Sequence, residues 1–530
     1  MLHSSTLSRW MAVLRNHFQG APTTMVPLSR PDLHQLAQFP PSALPEFVRN
    51  CPVAIKYLHL LGDLDWAHFP ERPTGRAWPG PTPAPRAPFA AAFLVKLDGG
   101  HRHLGQMRTY LVEHPALVWV LGFPLAASDA FPWGFDADAS LPSRKHFGRV
   151  LRELDNDALQ FLLTASVKLI RDALPPDLAA TFGNEISLDT KHILAWVKEN
   201  NPKAYVRDRF DKTRQPKGDS DCKLGCKRKE NGHKRDAAPK DDSQPAPLPT
   251  AAPPEAVRLS APPEASTPAA NALPASQTLP PLEKGNFYWG YASGVVATKI
   301  TNYGEVAVAE LTQTFDHGDQ SYFSPLMTRT EGNLGFAPPF GALDKAFDAF
   351  YVYAYFHAAG GFAAVPWADR ADHRKTFSPE GLPLCAAGLA MPLKSTFWQK
   401  SNCLVPHEDA RYGCPLFGAD FPDAICPLNH ANWEKGGCIT TLPTSPGNRI
   451  RHELDRTSDD FKRIYRQRTA TERINSQALE LGIERPYLRN GRSIANLNTL
   501  VYVLINLRTL HRVRNRLPQP DPADTPDLNN

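Results

Sequence analysis

Near the C-terminus, the segment 461–481 (FKRIYRQRTATERINSQALEL) spaces Tyr465, Arg468 and Glu472 with two and then three residues between them. On a helix these are positions i, i+3 and i+7, so a phenol, a guanidinium and a carboxylate share one face. The planar guanidinium suits two phosphate oxygens, and the carboxylate suits a hard divalent cation. Two more acids stand in matching settings. Asp189 lies in NEISLDTKHI, where Ile186 and Leu188 alternate with Ser187 and Asp189, and Asp344 ends a short strand in FGALDKAFDAF. Phosphoryl transfer on DNA can use two divalent metals about 3.5–4 Å apart, which act on the attacking and leaving oxygens. Asp189, Asp344 and Glu472 are the candidate ligands for two Mg²⁺ or Mn²⁺ ions.

A scaffold must bring these acids together across 128 positions between Asp344 and Glu472. With 530 residues and 42% hydrophobic content the chain has room for about three domains. Residues 1–88 read as an N-terminal extension with a Pro-rich linker, and 89–180 as a helical domain in which Ser143 caps RKHFGRVLREL. Strand patterning begins after Phe182. Three strands, a helix, a strand, a helix and a strand over 181–366 predict an α/β core with an RNase H-like mixed sheet and flanking helices. That core is interrupted at 236–282 by a Pro- and Ala-rich block that cannot bury a core of its own. Residues 367–448 read as a β-rich, Cys-containing insertion placed before the catalytic helix. Helices over 449–517 complete the core, and 518–530 read as a disordered tail.

The three acids in this order, with the Tyr-x2-Arg-x3-Glu spacing, resemble the bacterial insertion-sequence transposases that carry an Asp-Asp-Glu site. Asp189 resembles the family's first catalytic aspartate. Asp344 resembles the second motif, Ala-Asp-x-Gly-Tyr-Asp, with Leu343 for Ala, Ala346 for Gly and Phe347 for Tyr; Asp348 falls on that motif's last aspartate and is expected to cap the following helix. GDSDCKLGCKRKENGH at 218–233, YWGY at 288–291 and HGDQSYFSPLM at 317–327 extend the resemblance over roughly residues 100–517. It implies metal-dependent cleavage and transfer of DNA strands at terminal inverted repeats by a homodimer. Tyr465 and Arg468 would touch the DNA end, and Arg144, Lys145 and Arg149 on the basic helix would recognise it. At Leu479 the longer motif has a Lys, so that DNA contact is either missing or supplied by Arg473. A catalytically inactive transposon-derived DNA-binding protein and an RNase H-like DNA nuclease are the alternatives.

Global charge is only +5, yet 449–516 carries fifteen basic against seven acidic residues, a pattern suited to double-stranded DNA. No targeting or membrane segment is evident, and eight dispersed cysteines suit a reduced cytoplasmic protein, here nucleoid-associated. The insertion is expected to hold by its own β packing. Cys403, Cys414, Cys426, His430 and Cys438 are the donors available should it bind structural Zn²⁺. Cys222, Cys226 and His233 are too loosely spaced for such a site.

Overall fold

The computed structural model describes residues 32–72, 84–130, 134–228, 285–368, 374–401, 403–417 and 424–516. Most of the Pro-rich linker, the whole 236–282 block and the tail lie outside them.

The chain is a mixed α/β protein. Strands β1 (Glu185–Leu194), β2 (Lys223–Arg228), β3 (Gly285–Ile300) and β4 (Gly304–Thr314) precede the short β5 (Phe340–Leu343) and β6 (Phe362–Ala364). A curled five-strand sheet runs β4–β3–β1–β5–β6; β1 is antiparallel to β3 and parallel to β5. Strand β2, which falls within GDSDCKLGCKRKENGH and is not among the strands expected from the sequence, pairs with residues 285–290 of β3 on the edge that β4 occupies further along.

Both faces of this sheet are covered, as expected for strands with parallel pairing. Ile186 and Leu188 face an apolar cluster with Leu326 of α7 (Phe323–Leu334) and Phe356 of α8 (Phe350–Ala358). Val295 and Ala297 face a second cluster with Ile474 of α11 (Thr469–Glu480) and the long α12 (Gly491–Arg516). The same second cluster takes in the N-terminal helices α1 (Pro52–Leu61), α2 (Ala87–Asp98), α3 (Leu104–Glu113), α4 (Pro115–Leu121), α5 (Arg144–Glu153) and α6 (Asn156–Ala173). The helical region is therefore not a separate core. Nor are residues 32–72 a detached extension, since Leu33, Val48, Tyr57 and Leu61 are buried in that cluster. Ser143 caps α5 as expected, accepting from His146 N at 3.2 Å.

Helix α12 joins the two regions through buried polar side chains. Asn506, fully buried, accepts from Ala307 N at 2.9 Å and donates to Ala307 O at 2.8 Å and Ser166 Oγ at 2.9 Å. It thereby covers β4 at a register shift in its pairing with β3, where an edge strand would otherwise expose unpaired backbone. Asn496 donates to the Leu151 and Leu154 carbonyls at the end of α5 at 2.8 and 2.9 Å. The GDSD loop fixes the other end of the helix. Buried Asp219 accepts from Tyr291 Oη at 2.9 Å and Asn490 N at 3.0 Å, and Asp221 accepts from Gly491 N at 3.0 Å.

Helix α9 (Pro446–Glu453) crosses α8 at Gly447, where a Cβ would stand 2.0 Å from the Phe350 carbonyl oxygen. Arg451 then reaches Asp348 with two bonds of 3.0 and 2.8 Å. Tyr353 Oη and Ala368 N complete the shell at 2.7 and 2.9 Å. Asp348 is thus a buried ion-pair partner, not a helix cap; the N-cap of α8 is Ala349, which provides no side-chain bond. The insertion contains a three-stranded antiparallel sheet of β7 (Leu393–Gln399), β8 (His407–Gly413) and β9 (Ile439–Pro443). Among the described residues, no helix is long and apolar enough to cross a membrane.

Two outcomes follow from this architecture. Asn506→Ala removes three buried hydrogen bonds, two of them to the Ala307 backbone, and should cost at least about 2 kcal/mol in urea unfolding; a loss under half that would show the amide is not holding the edge strand. Arg228 and Gly285 are register partners, so the chain leaves and re-enters the sheet at one place. Replacing 229–284 with an Asn-Gly turn should therefore leave the melting temperature within a few degrees of the parent, because closing a longer loop changes the entropy only slowly.

Candidate active site

The parallel pair β1/β5 decides where the two aspartates go. Its last register pair is Leu188↔Leu343, and the next residue on each strand is Asp189 and Asp344. The two carboxylates therefore sit side by side at the same end of neighbouring strands. Strand β1 continues to Leu194 against β3, so Asp189 lies mid-strand and not at a strand terminus.

Asp189 accepts from Thr190 N at 2.9 Å and from Asn475 Nδ2 at 3.0 Å. Asp344 begins a 3₁₀ turn over Lys345–Phe347 and accepts from Ala346 N at 2.7 Å. A third acid belongs to the group. Asp319 accepts from Thr190 Oγ1 at 2.7 Å, and its charge acts on both other aspartates. Burial, reinforced by the Asp344 and Asp319 charges, pushes the Asp189 carboxyl up to about 6 against the pull of Arg468. Burial also raises Asp344, with Asp319 adding to it.

The Tyr-Arg-Glu segment is not one α-helix. Helix α10 (Asp459–Tyr465) ends in a 3₁₀ turn at Arg466–Arg468, after which α11 begins. Tyr465 stacks on Phe461 with ring centres 5.7 Å apart. Arg468 donates to Glu472 at 2.6 Å, and the Glu472 side chain is half-exposed. Helix α11 is anchored over β1 by Thr471 N, which donates to Ser187 Oγ at 3.2 Å. Glu472, Asp189 and Asn475 line one cleft of about 410 Å³. Arg468 thus stands between the acids, near enough for its charge to act on Asp189 and Asp344 while it bonds Glu472.

The expected triad is brought together in part. Asp189 and Asp344 are adjacent and Glu472 shares the cleft, but Glu472 is bonded to Arg468; among the described residues no three His, Cys, Asp or Glu side chains converge to hold an ion. Arg473 is committed elsewhere, bridging the buried Glu305 at 2.7 Å. Arg144, Lys145 and Arg149 are exposed along α5. Asp319 and Asn475 had no role in the sequence reading. Asn475 was findable, three residues after Glu472 and so on the same helix face; Asp319 lies inside HGDQSYFSPLM but carries no spacing signal toward Asp189.

The cysteines divide differently from expectation. Cys222 is buried beside Asp219 and Gln215, Cys226 is exposed, and His233 lies outside the described residues. Cys403 bonds the Gln399 carbonyl at 3.3 Å, beyond the end of β7. Cys414 lies off the other end of the sheet, since Tyr412 pairs with Leu393 and His407 with Gln399. Six strand steps of about 3.3 Å put the two thiols roughly 20 Å apart, too far to share an ion.

Compared with protein-family models and with curated proteins, the chain matches none, so the chemistry of this cleft rests on its geometry. Folding raises the Asp189 pKa, so the folded state holds that proton more tightly than the unfolded chain. The advantage is complete below about pH 4 and is lost as pH rises through 6, by up to about 3 kcal/mol. Asp189→Asn should accordingly be more stable than the parent at pH 8 with a chelator present, and the two should converge near pH 4. Equal differences at both pH values in urea unfolding would show that Asp189 is not a strained carboxylate.

Proposed function

We propose that this chain is a divalent-metal-dependent DNA transposase with an Asp-Asp-Glu site on an RNase H-like sheet, which cuts DNA ends and joins them to a target. The observation that carries the reading is the Leu188↔Leu343 register, which leaves Asp189 and Asp344 side by side where the β1/β5 pairing ends, beneath α11. The strand order β4–β3–β1–β5–β6, three antiparallel strands followed by two parallel ones, agrees with that fold.

The donor set fits a hard cation. Two adjacent carboxylates whose charged forms are disfavoured by burial are stabilised by divalent charge, and oxygen ligands suit Mg²⁺ or Mn²⁺. Asp189 and Asp344 would hold the ion, and Glu472 would join them once Arg468 releases it. When bound, such ions polarise the phosphate and favour an oxygen nucleophile. The protein's own part is positioning. Asn475 and Thr190 N orient the Asp189 carboxylate, and Thr190 Oγ1 orients Asp319. Arg468 offers its planar fork to a phosphate entering the cleft, exchanging a carboxylate for a phosphate oxygen. The exposed row on α5 supplies further phosphate contacts, and a homodimer would present two such clefts to paired DNA ends.

A second reading has one observation in its favour. The Arg468–Glu472 bond and the unclosed acid cluster also suit a transposon-derived protein that binds DNA without cutting it. Incubation of purified protein with labelled DNA from the flanks of its gene and Mg²⁺ or Mn²⁺ separates the two. Strand transfer supports the transposase, cleavage without joining a nuclease, and binding alone the inactive form.

Asp189→Asn, Asp344→Asn and Glu472→Gln should each abolish cleavage while leaving DNA affinity within about twofold, because each removes a ligand charge with little change of shape. Near-parent cleavage by any one removes it from the triad. Arg468→Ala should weaken binding and lower the slope of log affinity against log salt by about one, the value for one lost phosphate contact. If that slope is unchanged over a salt series, Arg468 serves only to pair Glu472.

A further inference from the structure

The insertion between α8 and α9 has the weakest apolar packing of any sheet-bearing part of the chain. Among the described residues of 385–443, the buried apolar side chains are Met391, Ala410, Cys414 and Leu442, and none joins the molecule's apolar clusters. Trp398, Ile425 and Ile439 are 62%, 81% and 61% exposed. So small a unit with so little apolar burial needs a staple to hold one fold.

Four cysteines stand at its turns. Cys385, Cys414 and Cys426 each open a four-residue turn closed onto the cysteine's own carbonyl: Gly388 N donates to Cys385 O at 2.9 Å, Phe417 N to Cys414 O at 3.4 Å and Asn429 N to Cys426 O at 3.0 Å. Two of these turns repeat the sequence Cys-Pro-Leu. Cys438 follows Gly436 and Gly437, whose φ values of 104° and 76° reverse the chain into β9.

Register then brings the sulfurs toward one end of the sheet. Gly413 pairs with Ile439, so the next residues outward on the two strands, Cys414 and Cys438, face each other. A Cβ on Gly437 would lie 3.1 Å from Cys414 Sγ. The hairpin carrying Cys385 is laid against the same end, with Gly413 N donating to Pro392 O at 3.0 Å and Met391 N to Pro383 O at 2.9 Å. The Cys438 and Cys414 side chains bond each other, and Cys385 lies near enough to interact with Cys438.

We propose that Cys385, Cys414, Cys426 and Cys438 are the four ligands of a structural zinc ion that closes this module. Cys403 takes no part because it lies at the opposite end of β7. His430 takes none because its Nδ1 accepts from Asn432 N at 3.1 Å within its own turn. Among the described residues no three of these thiols are already gathered around a point, so binding draws both the Cys385 and the Cys426 turns onto the Cys414–Cys438 pair. Four Zn–S bonds form, the thiol protons pass to solvent, and no redox change occurs. The site lies outside the catalytic cleft and stands whether or not the proposed function does.

The test is zinc content and thiol protection in the full-length protein, purified under reducing conditions without chelator. About one zinc per chain is expected. Alkylation mapped by mass spectrometry should spare Cys385, Cys414, Cys426 and Cys438 until a chelator is added, whereas Cys403 labels at the same rate with and without chelator. Cobalt substitution should give the intense thiolate charge-transfer absorption of a four-sulfur site. Cys403→Ser should keep the zinc, and Cys414→Ser and Cys438→Ser should lose it. Protein without zinc, a Cys414–Cys438 disulfide in its place, chelator-independent labelling of the four thiols, or zinc lost in Cys403→Ser would each overturn the assignment. The labelling experiment uses unaltered protein, so misfolding of a variant cannot obscure the result.

Discussion

The candidate site depends on the register of β1 against the short parallel strand β5. A shift of β5 by one residue against β1 would turn its side chains to the opposite face and separate Asp344 from Asp189. Four residue pairs hold that register, Glu185↔Phe340 through Leu188↔Leu343. Leu188 and Leu343 are almost fully buried. The apolar clusters on each face therefore stabilise more than the fold, because they keep two carboxylates together that would separate in water. The cost appears in Asp189, whose charge is disfavoured by burial and by its acidic neighbours. Strain of this kind, kept in place by a packed surround, is what a site prepared for a cation would show.

Much of the sheet could be read from the chain because its signals are local. The alternation at Ile186, Ser187, Leu188 and Asp189, the apolar runs of β3 and β4, and the strand ending at Leu343 all state their own structure. Strand β2 could not be read this way, since its pairing depends on β3 from across a long intervening block. Asp348 was misassigned for a related reason. Its position before a helix suggests a cap, whereas its partner Arg451 lies 103 residues away on α9. The Tyr-Arg-Glu spacing implied an uninterrupted helix, whereas a 3₁₀ turn at Arg466–Arg468 interrupts it. Nothing in the residue types of RQR signals the 3₁₀ turn between α10 and α11.

Domain boundaries were the least legible feature. The Pro-rich stretches mark changes in composition, and composition does not report which surfaces a later helix will bury. Helix α12 has almost no apolar stripe of its own because it is enclosed on all sides. Its buried Asn496, Thr499 and Asn506 look like solvent-facing residues in the sequence, yet each bonds a group on another element. Glu310 shows the same logic: a fully buried acid on β4 held by Thr499 of α12 and Gln160 of α6.

Those buried bonds make α12 a spacer bar. Asn496 is tied to the end of α5 and Asn506 to β4, ten residues further along one continuous helix. At about 1.5 Å per residue, that fixes roughly 15 Å between the two attachment points. Sliding or hinging the basic helix relative to the sheet would pull several amide and hydroxyl groups out of their bonds at once. The molecule then behaves as a gauge of set width. Any ligand that spanned the basic helix and the sheet would meet a separation the protein does not adjust, and would itself have to bend or twist to fit it.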